Sequence, residues 1–343
     1  MASDESEVMA LRSFVYDEGV GLLQDVPVSE LTRYLGRSEI TIWLDFDQSE
    51  APEIQRIGDL FNLHPLAVED LIALQRRPKI DTYDNGLMIV LRDADVDRIE
   101  KSLSALELDI FLGRNFLITV HSEQMECIEM TMARLNGAAA RVLGRGPDYL
   151  AHMIIDFLVD DNLQLLSWLE EEISELEESI YANPTDEALK QAARLRKNII
   201  YLQRLLGPQL ELIRRLSGDE LPFIKKSLRA YFRDVYDNLA RINDIIYSYR
   251  EIITSDIQIH QALIANKSNK ILALLTIVFT LSIPATIVGT FYGMNINLPG
   301  GIETGPWLFL GPYTTFILIV LGALVLPSIW MIWWFKRRGW LDY

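Results

Sequence analysis

The sequence predicts an α+β protein in three parts: an N-terminal α/β domain, a long helical stalk and two C-terminal transmembrane helices. Three observations carry that expectation. Residues 11–122 mix short β-type runs with helical stretches, and from about residue 148 the pattern is helical throughout. The last quarter is almost uncharged: Glu303 alone interrupts the 65 residues between Lys270 and Lys336. A stretch like that belongs in hydrocarbon, where each centrally placed Asp, Lys or Arg costs roughly 2.5–3.5 kcal/mol.

In chain order, residues 1–147 form the α/β domain. Ile40–Phe46, Leu87–Leu91 and Asn115–Val120 are rich in β-branched and aromatic residues and read as strands. Between the first two, Glu53 to Leu74 has helical spacing, with Ile54, Ile57, Leu60 and Phe61 on one face. Residues 148–218 form a charged helical hairpin. Tyr149 to Ala182 is one long helix, stopped by Asn183-Pro184 and acidic in its second half from Glu170 to Glu178. Glu187 to Ser217 follows and carries Lys190, Arg194, Arg196, Lys197, Arg204, Arg214 and Arg215. The two sets of charges either face each other or lie on separate solvated faces, since exposed ion pairs contribute little.

A third helix starts near Leu221-Pro222, and residues 219–270 are its cytoplasmic stalk. Asp234, Asp237, Arg241, Asp244, Ser248, Glu251, Ser255, Gln258 and Ala262 recur at spacings of three and four, which keeps one polar stripe facing one way. Val235, Leu239, Ile242, Ile246 and Ile253 fall mainly off it. In a monomer the stripe meets water; in a bundle of identical helices it lines a wet channel.

The same helix runs into the first span, residues 271–292. Ile271 to Phe291 gives 21 uncharged residues, about 31 Å of helix, which matches the hydrocarbon core. An external loop, 293–306, separates it from the second span, 307–335, where Trp330, Trp333, Trp334 and the following Trp340 predict an interfacial aromatic belt. Lys336-Arg337-Arg338 opens a basic cytoplasmic tail, 336–343, while Lys267 and Lys270 precede the first span and the loop after Asn295 has no Lys or Arg. The positive-inside rule then places both termini in the cytoplasm. The acidic start, Met1 to Glu7, has neither the basic nor the apolar region of a signal peptide.

Composition narrows the function. A net charge of −16 argues against nucleic acid as a partner and for cations. Cys127 is the only cysteine and the four histidines are scattered, which excludes thiolate clusters within one chain. There is no Gly-rich phosphate loop and no nucleophile elbow, so nothing points to an enzyme. Two spans cannot enclose a pathway, so a transporter built this way must be an oligomer. The first span and its approach carry Asn269, Thr276, Thr280, Ser282, Thr286 and Thr290. Such hydroxyls either bond to their own backbone or, continuing the polar stripe, line a pore.

Tyr292-Gly293-Met294-Asn295 after the first of two C-terminal spans, Pro284 upstream of it and the basic-aromatic ending Lys336 to Leu341 resemble the CorA family of divalent-cation channels. So, in order, do His64 to Asp70, Arg77 to Ile80, Arg114 to His121 and Tyr231 to Asp237, and the likeness covers nearly the whole chain. The resemblance implies a homopentameric funnel in the cell inner membrane that moves hydrated Mg²⁺ or Co²⁺. Gly293, Met294 and Asn295 would form the outer selectivity filter. Asn269, Leu272, Leu275, Thr276, Ile283, Thr286 and Thr290 would line the pore, with Leu272 and Leu275 as a hydrophobic gate. Glu303, repeated around the mouth, would attract cations. Asp70, assisted by Glu69, and Asp234 of a neighbouring subunit would bind regulatory Mg²⁺ and hold the funnel closed.

The flanks depart from the best-known branch. Gly289 stands one position earlier than expected, and Pro299-Gly300-Gly301 resembles the zinc-transporting branch, ZntB. A Zn²⁺ or Ni²⁺ transporter of the same fold, with proton coupling, is the alternative expectation, and a membrane-anchored scaffold a remote one.

Overall fold

The computed structural model describes residues 11–47, 51–73, 77–294 and 311–339. The chain divides into two compact units, Met1–Ile257 and Gln258–Tyr343.

The first unit is built on a seven-stranded sheet. In chain order come β1 (Leu11–Asp17), β2 (Gly21–Gln24), a single helical turn α1 (Val28–Leu31), β3 (Ile40–Asp47), α2 (Ala51–Leu60), α3 (Pro65–Ile72), β4 (Lys79–Tyr83), β5 (Gly86–Asp97), β6 (Ser102–Gly113) and β7 (Phe116–His121). The spatial order is β2-β1-β3-β7-β6-β5-β4. Only β3 and β7 pair in parallel; the other neighbours are antiparallel. Ile54, Ile57, Ala67, Val68 and Leu71 of α2 and α3 join Ile42, Leu44 and Phe46 in the core on one face. Two later helices, α6 (Pro147–Ala182) and α7 (Asp186–Gly218), pack on the other. Strands covered on both faces need no polar alternation, and β3 and β7 are mostly apolar, with Thr41, Asp45, Thr119 and His121 buried as well.

The strands read from sequence are present, but β1, β2, β4 and β6 were not visible in it. Charge hides three of them, with Arg12 in β1, Lys79 and Asp81 in β4, and Glu107 and Asp109 buried in β6, while β2 is only four residues long. Arg12 is held by Asp45 of β3, which also accepts hydrogen bonds from Arg12 Nη2 at 2.7 Å and Thr119 Oγ1 at 2.5 Å. The helix expected over Glu53–Leu74 is two helices. Asn62 adopts φ 52°, and His64 is extended at ψ 136° because a residue before proline is pushed out of the helical region.

After α4 (Glu126–Leu135), α5 (Ala139–Val142) and a short 3₁₀ turn, α6 and α7 form the long hairpin. Thr185 caps α7 by accepting from Ala188 N–H at 3.3 Å. The facing charges are mostly absent. Among the described residues the one ion pair between the two helices is Arg194–Glu172 at 3.9 Å, while Lys190 and Arg214 pair within α7. The two helices pack on each other, and Leu169, Ile173 and Leu176 of α6 and Leu195, Ile199 and Leu202 of α7 are buried. The solvated-face reading of the charges is the correct one.

A 3₁₀ turn, Lys226–Leu228, leads into α8 (Arg229–Gly293). The helix begins later than Leu221-Pro222, because Phe223 takes the left-handed conformation at φ 71°. Up to Ile257 it belongs to the first unit, where Val235, Leu239, Ile242, Ile246 and Ile253 are buried and the polar stripe residues are exposed.

One buried carboxylate makes this unit sensitive to pH. Burial first, and then the charge of Asp161, push Asp93 up to about 7. An unfolded aspartate titrates near ~3.9, so between there and pH 7 the folded form holds a proton that the unfolded form has released. Stability present below that window is lost as pH rises through it. Asp93→Asn removes this term. It is expected to raise the melting temperature of the full-length protein at pH 8 by about 2–4 °C and to leave it unchanged at pH 4. An equal shift at both values would assign the effect to packing.

The second unit contains the rest of α8, then α9 (Pro312–Val320), a π-turn at Leu321–Val325 and α10 (Leu326–Arg337). Pro327 explains the π-turn: it has no N–H to donate and its ring crowds the carbonyl four residues back. Both α8 and the α9–α10 segment contain a window long and apolar enough to cross a membrane, each with mean hydropathy 2.4. Arg337 lies over Trp333 and Arg338 over Trp334, at 5.4 and 5.1 Å, at the end of α10. The beginning of the expected second span, 307–310, lies outside the described residues, as does Trp340.

Candidate ion pathway and regulatory carboxylates

Residues of an α-helix succeed one another by about 100°. On that spacing Asn269, Leu272, Leu275, Thr276, Ile283, Thr286 and Thr290 of α8 share one arc of about 120°. Every one is exposed in the single chain. Leu272 and Ile283 keep 59% and 52% of their surface exposed in the single chain. The buried or half-buried positions of the same stretch lie outside that arc: Ala273, Ile277, Thr280, Leu281, Pro284, Val288 and Tyr292. Their face is centred roughly 140° away, and at its edge the Tyr292 ring meets Phe316 of α9 edge-on at 5.3 Å. The second apolar segment thus meets α8 at Tyr292 on a side away from the seven candidates.

The hydroxyls of this arc donate inward. Thr276 Oγ1 donates to Leu272 O at 2.8 Å, Thr286 to Ser282 O at 2.9 Å and Thr290 to Thr286 O at 2.7 Å. This is the backbone bonding that the sequence allowed. It leaves a specific chemistry behind, because a hydroxyl that has spent its one proton still presents acceptor lone pairs. Such oxygens suit the water protons of a hydrated cation.

Gly293 closes α8, and Met294 follows in a bend, half exposed, its N–H donating to Phe291 O at 3.2 Å. Asn295 and Glu303 lie outside the described residues.

Asp70, Glu69 and Asp234 are not brought together within one chain. Asp70 stands in the last turn of α3 and accepts Lys79 Nζ of β4 at 2.6 Å. Glu69, beside it, is exposed. Asp234 is exposed on α8, with no cation partner among the described residues. Two further carboxylates, one helical turn apart on α6, are close enough to interact with it. Burial first, and then Asp160 and Asp234, push Asp156 up to about 6, and Asp160 is raised in the same way by burial and Asp234. Among the described residues no three His, Cys, Asp or Glu side chains are grouped to hold a metal. The donor chemistry does fit Mg²⁺, which prefers carboxylate and water oxygens and keeps part of its hydration shell. Sequence reasoning missed Asp156, Asp160 and Lys79. The four-residue spacing of the two aspartates was the available signal for the first pair, and Lys79 lay inside a recognised segment without a role.

The family model for the CorA-like Mg²⁺ transporter protein matches residues 38–337. The cobalt/magnesium transport protein CorA of Thermotoga maritima is 29% identical over 288 residues, covering 84% of this chain and 80% of that protein. The zinc transport protein ZntB of Yersinia pestis is 23% identical over 306 residues, covering 87% of this chain and 88% of that protein. Among solved structures, the complete CorA magnesium transporter of Methanocaldococcus jannaschii matches with a TM-score of 0.78 at 22% identity, over 96% of this chain and 98% of that one. At that identity the last likeness speaks for the fold. The chain belongs to the CorA-like Mg²⁺ transporter family, whose members carry divalent cations and are not enzymes.

Proposed function

We propose that the chain forms a homopentameric channel in the cell inner membrane, with both termini in the cytoplasm, that admits hydrated Mg²⁺ and also Co²⁺. The observation that carries this reading is the one-sided arc from Asn269 to Thr290. It is exposed, free of ionisable groups, supplied with acceptor oxygens and opposite the face that meets the second helix. Repeated around an axis, that arc would line a pathway holding a cation weakly enough for release. Leu272 and Leu275, at its cytoplasmic end, would close it by dewetting, which needs no charged plug.

Asn295 would complete the outer mouth with Gly293 and Met294, and Glu303 would concentrate cations there. Mg²⁺ bound between Asp70, assisted by Glu69, and Asp234 of the adjacent subunit would hold the closed state. When cytoplasmic Mg²⁺ falls, the carboxylates repel, the subunits loosen and the pore wets.

The zinc reading rests on Pro299-Gly300-Gly301 and on the similarity to a zinc transport protein. Flux of Mg²⁺, Co²⁺, Ni²⁺ and Zn²⁺ into proteoliposomes, with and without a pH step, separates the two. Mg²⁺ and Co²⁺ entry without a proton gradient supports the proposal. Entry of Zn²⁺ alone, dependent on the pH step, overturns it.

A further inference from the structure

We propose that Lys79 is a tethered cation that competes with the divalent ion for Asp70 and so sets the Mg²⁺ level at which the protein responds. The inference rests on the reading of Asp70 as a regulatory ligand. Lys79 opens β4 and points its ammonium between two carboxylates, at 2.6 Å from Asp70 Oδ2 and 2.9 Å from Asp81 Oδ2. Lys79 and Asp81 lie on one face of the strand because they are two residues apart. The Asp70 side chain is only 13% exposed, so solvent screens this contact less than it would a surface pair.

The surroundings are acidic. Asp109, buried in β6, lies within range of the charges of both Asp70 and Lys79, and Arg92, which also acts on it, is engaged with Glu107. Without a divalent ion, the Lys79 ammonium is held against both Asp70 and Asp81. A divalent ion drawing on the Asp70 carboxylate meets that ammonium at close range. The two positive charges repel, and one must yield.

The arrangement supplies a way for Lys79 to yield. A lysine is a compact charge on a flexible four-carbon stem, and Asp81, 43% exposed, already shares it. When metal takes Asp70, the ammonium moves wholly onto Asp81. Displacing it weakens metal binding by the strength of the Lys79–Asp70 contact. The site is thus detuned on purpose: it answers at a higher Mg²⁺ concentration than the same carboxylates would without the lysine.

The test is the Mg²⁺ concentration that gives half of the metal-induced rise in melting temperature of the full-length protein in detergent. It is measured alongside half-inhibition of flux by internal Mg²⁺. Lys79→Gln is expected to lower both midpoints about threefold or more. Lys79→Arg, which keeps the charge, holds them at the wild-type value or raises them. Asp81→Asn leaves the ammonium to Asp70 alone and raises them, giving a second readout that does not depend on the lysine variant folding. Unchanged or raised midpoints in Lys79→Gln, with the response abolished in Asp70→Asn, overturn the inference and make Lys79 a support for Asp70. An intact Mg²⁺ response in Asp70→Asn removes the regulatory reading itself, and the competition with it.

Discussion

Replacing Asn295 by alanine is expected to cut Mg²⁺ influx at least about tenfold, a loss of ~1.4 kcal/mol at the rate-limiting step. The residue follows directly on Met294, where α8 has ended and the backbone bends. Five amide oxygens at that level would accept hydrogen bonds from the water shell of the ion and so hold it without stripping it. Alanine removes every one of those acceptors. Asn295→Asp makes the complementary prediction: five carboxylates grip a divalent ion more tightly and slow its release, so conduction falls while apparent affinity rises. Dye-reported Mg²⁺ entry into proteoliposomes checks both. Influx that survives Asn295→Ala would remove the residue from the filter.

The second large effect concerns closure. Asp234→Asn is expected to raise the internal Mg²⁺ needed for half-inhibition by about tenfold or to abolish inhibition, since a carboxylate gives way to a neutral amide at the proposed divalent site. Asp234 is exposed and without a cation partner among the described residues, and it stands near enough to Asp156 and Asp160 to raise both. Like charges within range of one another repel, and a divalent cation held at Asp234 would relieve that repulsion. Unchanged inhibition in Asp234→Asn would exclude the residue from the sensor.

Much of this was legible in the sequence because hydrophobicity reports burial. The uncharged run after Lys270, the stripe from Asp234 to Ala262 and the apolar runs of β3 and β7 each follow from a face that must be dry or wet. Where charge is buried by pairing, the pattern fails. Arg12, Glu107 and Asp109 broke β1 and β6 into unreadable pieces, although each lies against a charged or polar partner or is shielded by its neighbours in the folded unit. The hairpin was ambiguous instead. Its complementary charges left facing ion pairs and separate solvated faces both open, and among the described residues the structure has one ion pair between the helices while Leu169, Ile173 and Leu176 are buried.

The candidate site divides along the same line. The pore-side arc could be counted off at 3.6 residues per turn, because it needs only helix periodicity. Lys79 could not be assigned, because its meaning depends on β4 lying beside α3, a tertiary relation that leaves no local signature. Asp156 and Asp160 depended likewise on α6 passing near the start of α8.

The central claim is that one face of α8 lines the pathway. Cys127, the only cysteine, is buried, and burial holds its thiol well above the ordinary value, so the chain tolerates cysteine scanning with a charged, water-borne thiol reagent. Single cysteines are placed at Leu272, Thr276, Ile283 and Thr290, and for comparison at Ile271, Leu274 and Val278, which are similarly exposed in one chain but lie on other faces. Modification is predicted to block Mg²⁺ flux at the first four positions and to leave it unchanged at the last three. Block at Ile271, Leu274 or Val278 with none at Thr276 and Ile283 would contradict the claim.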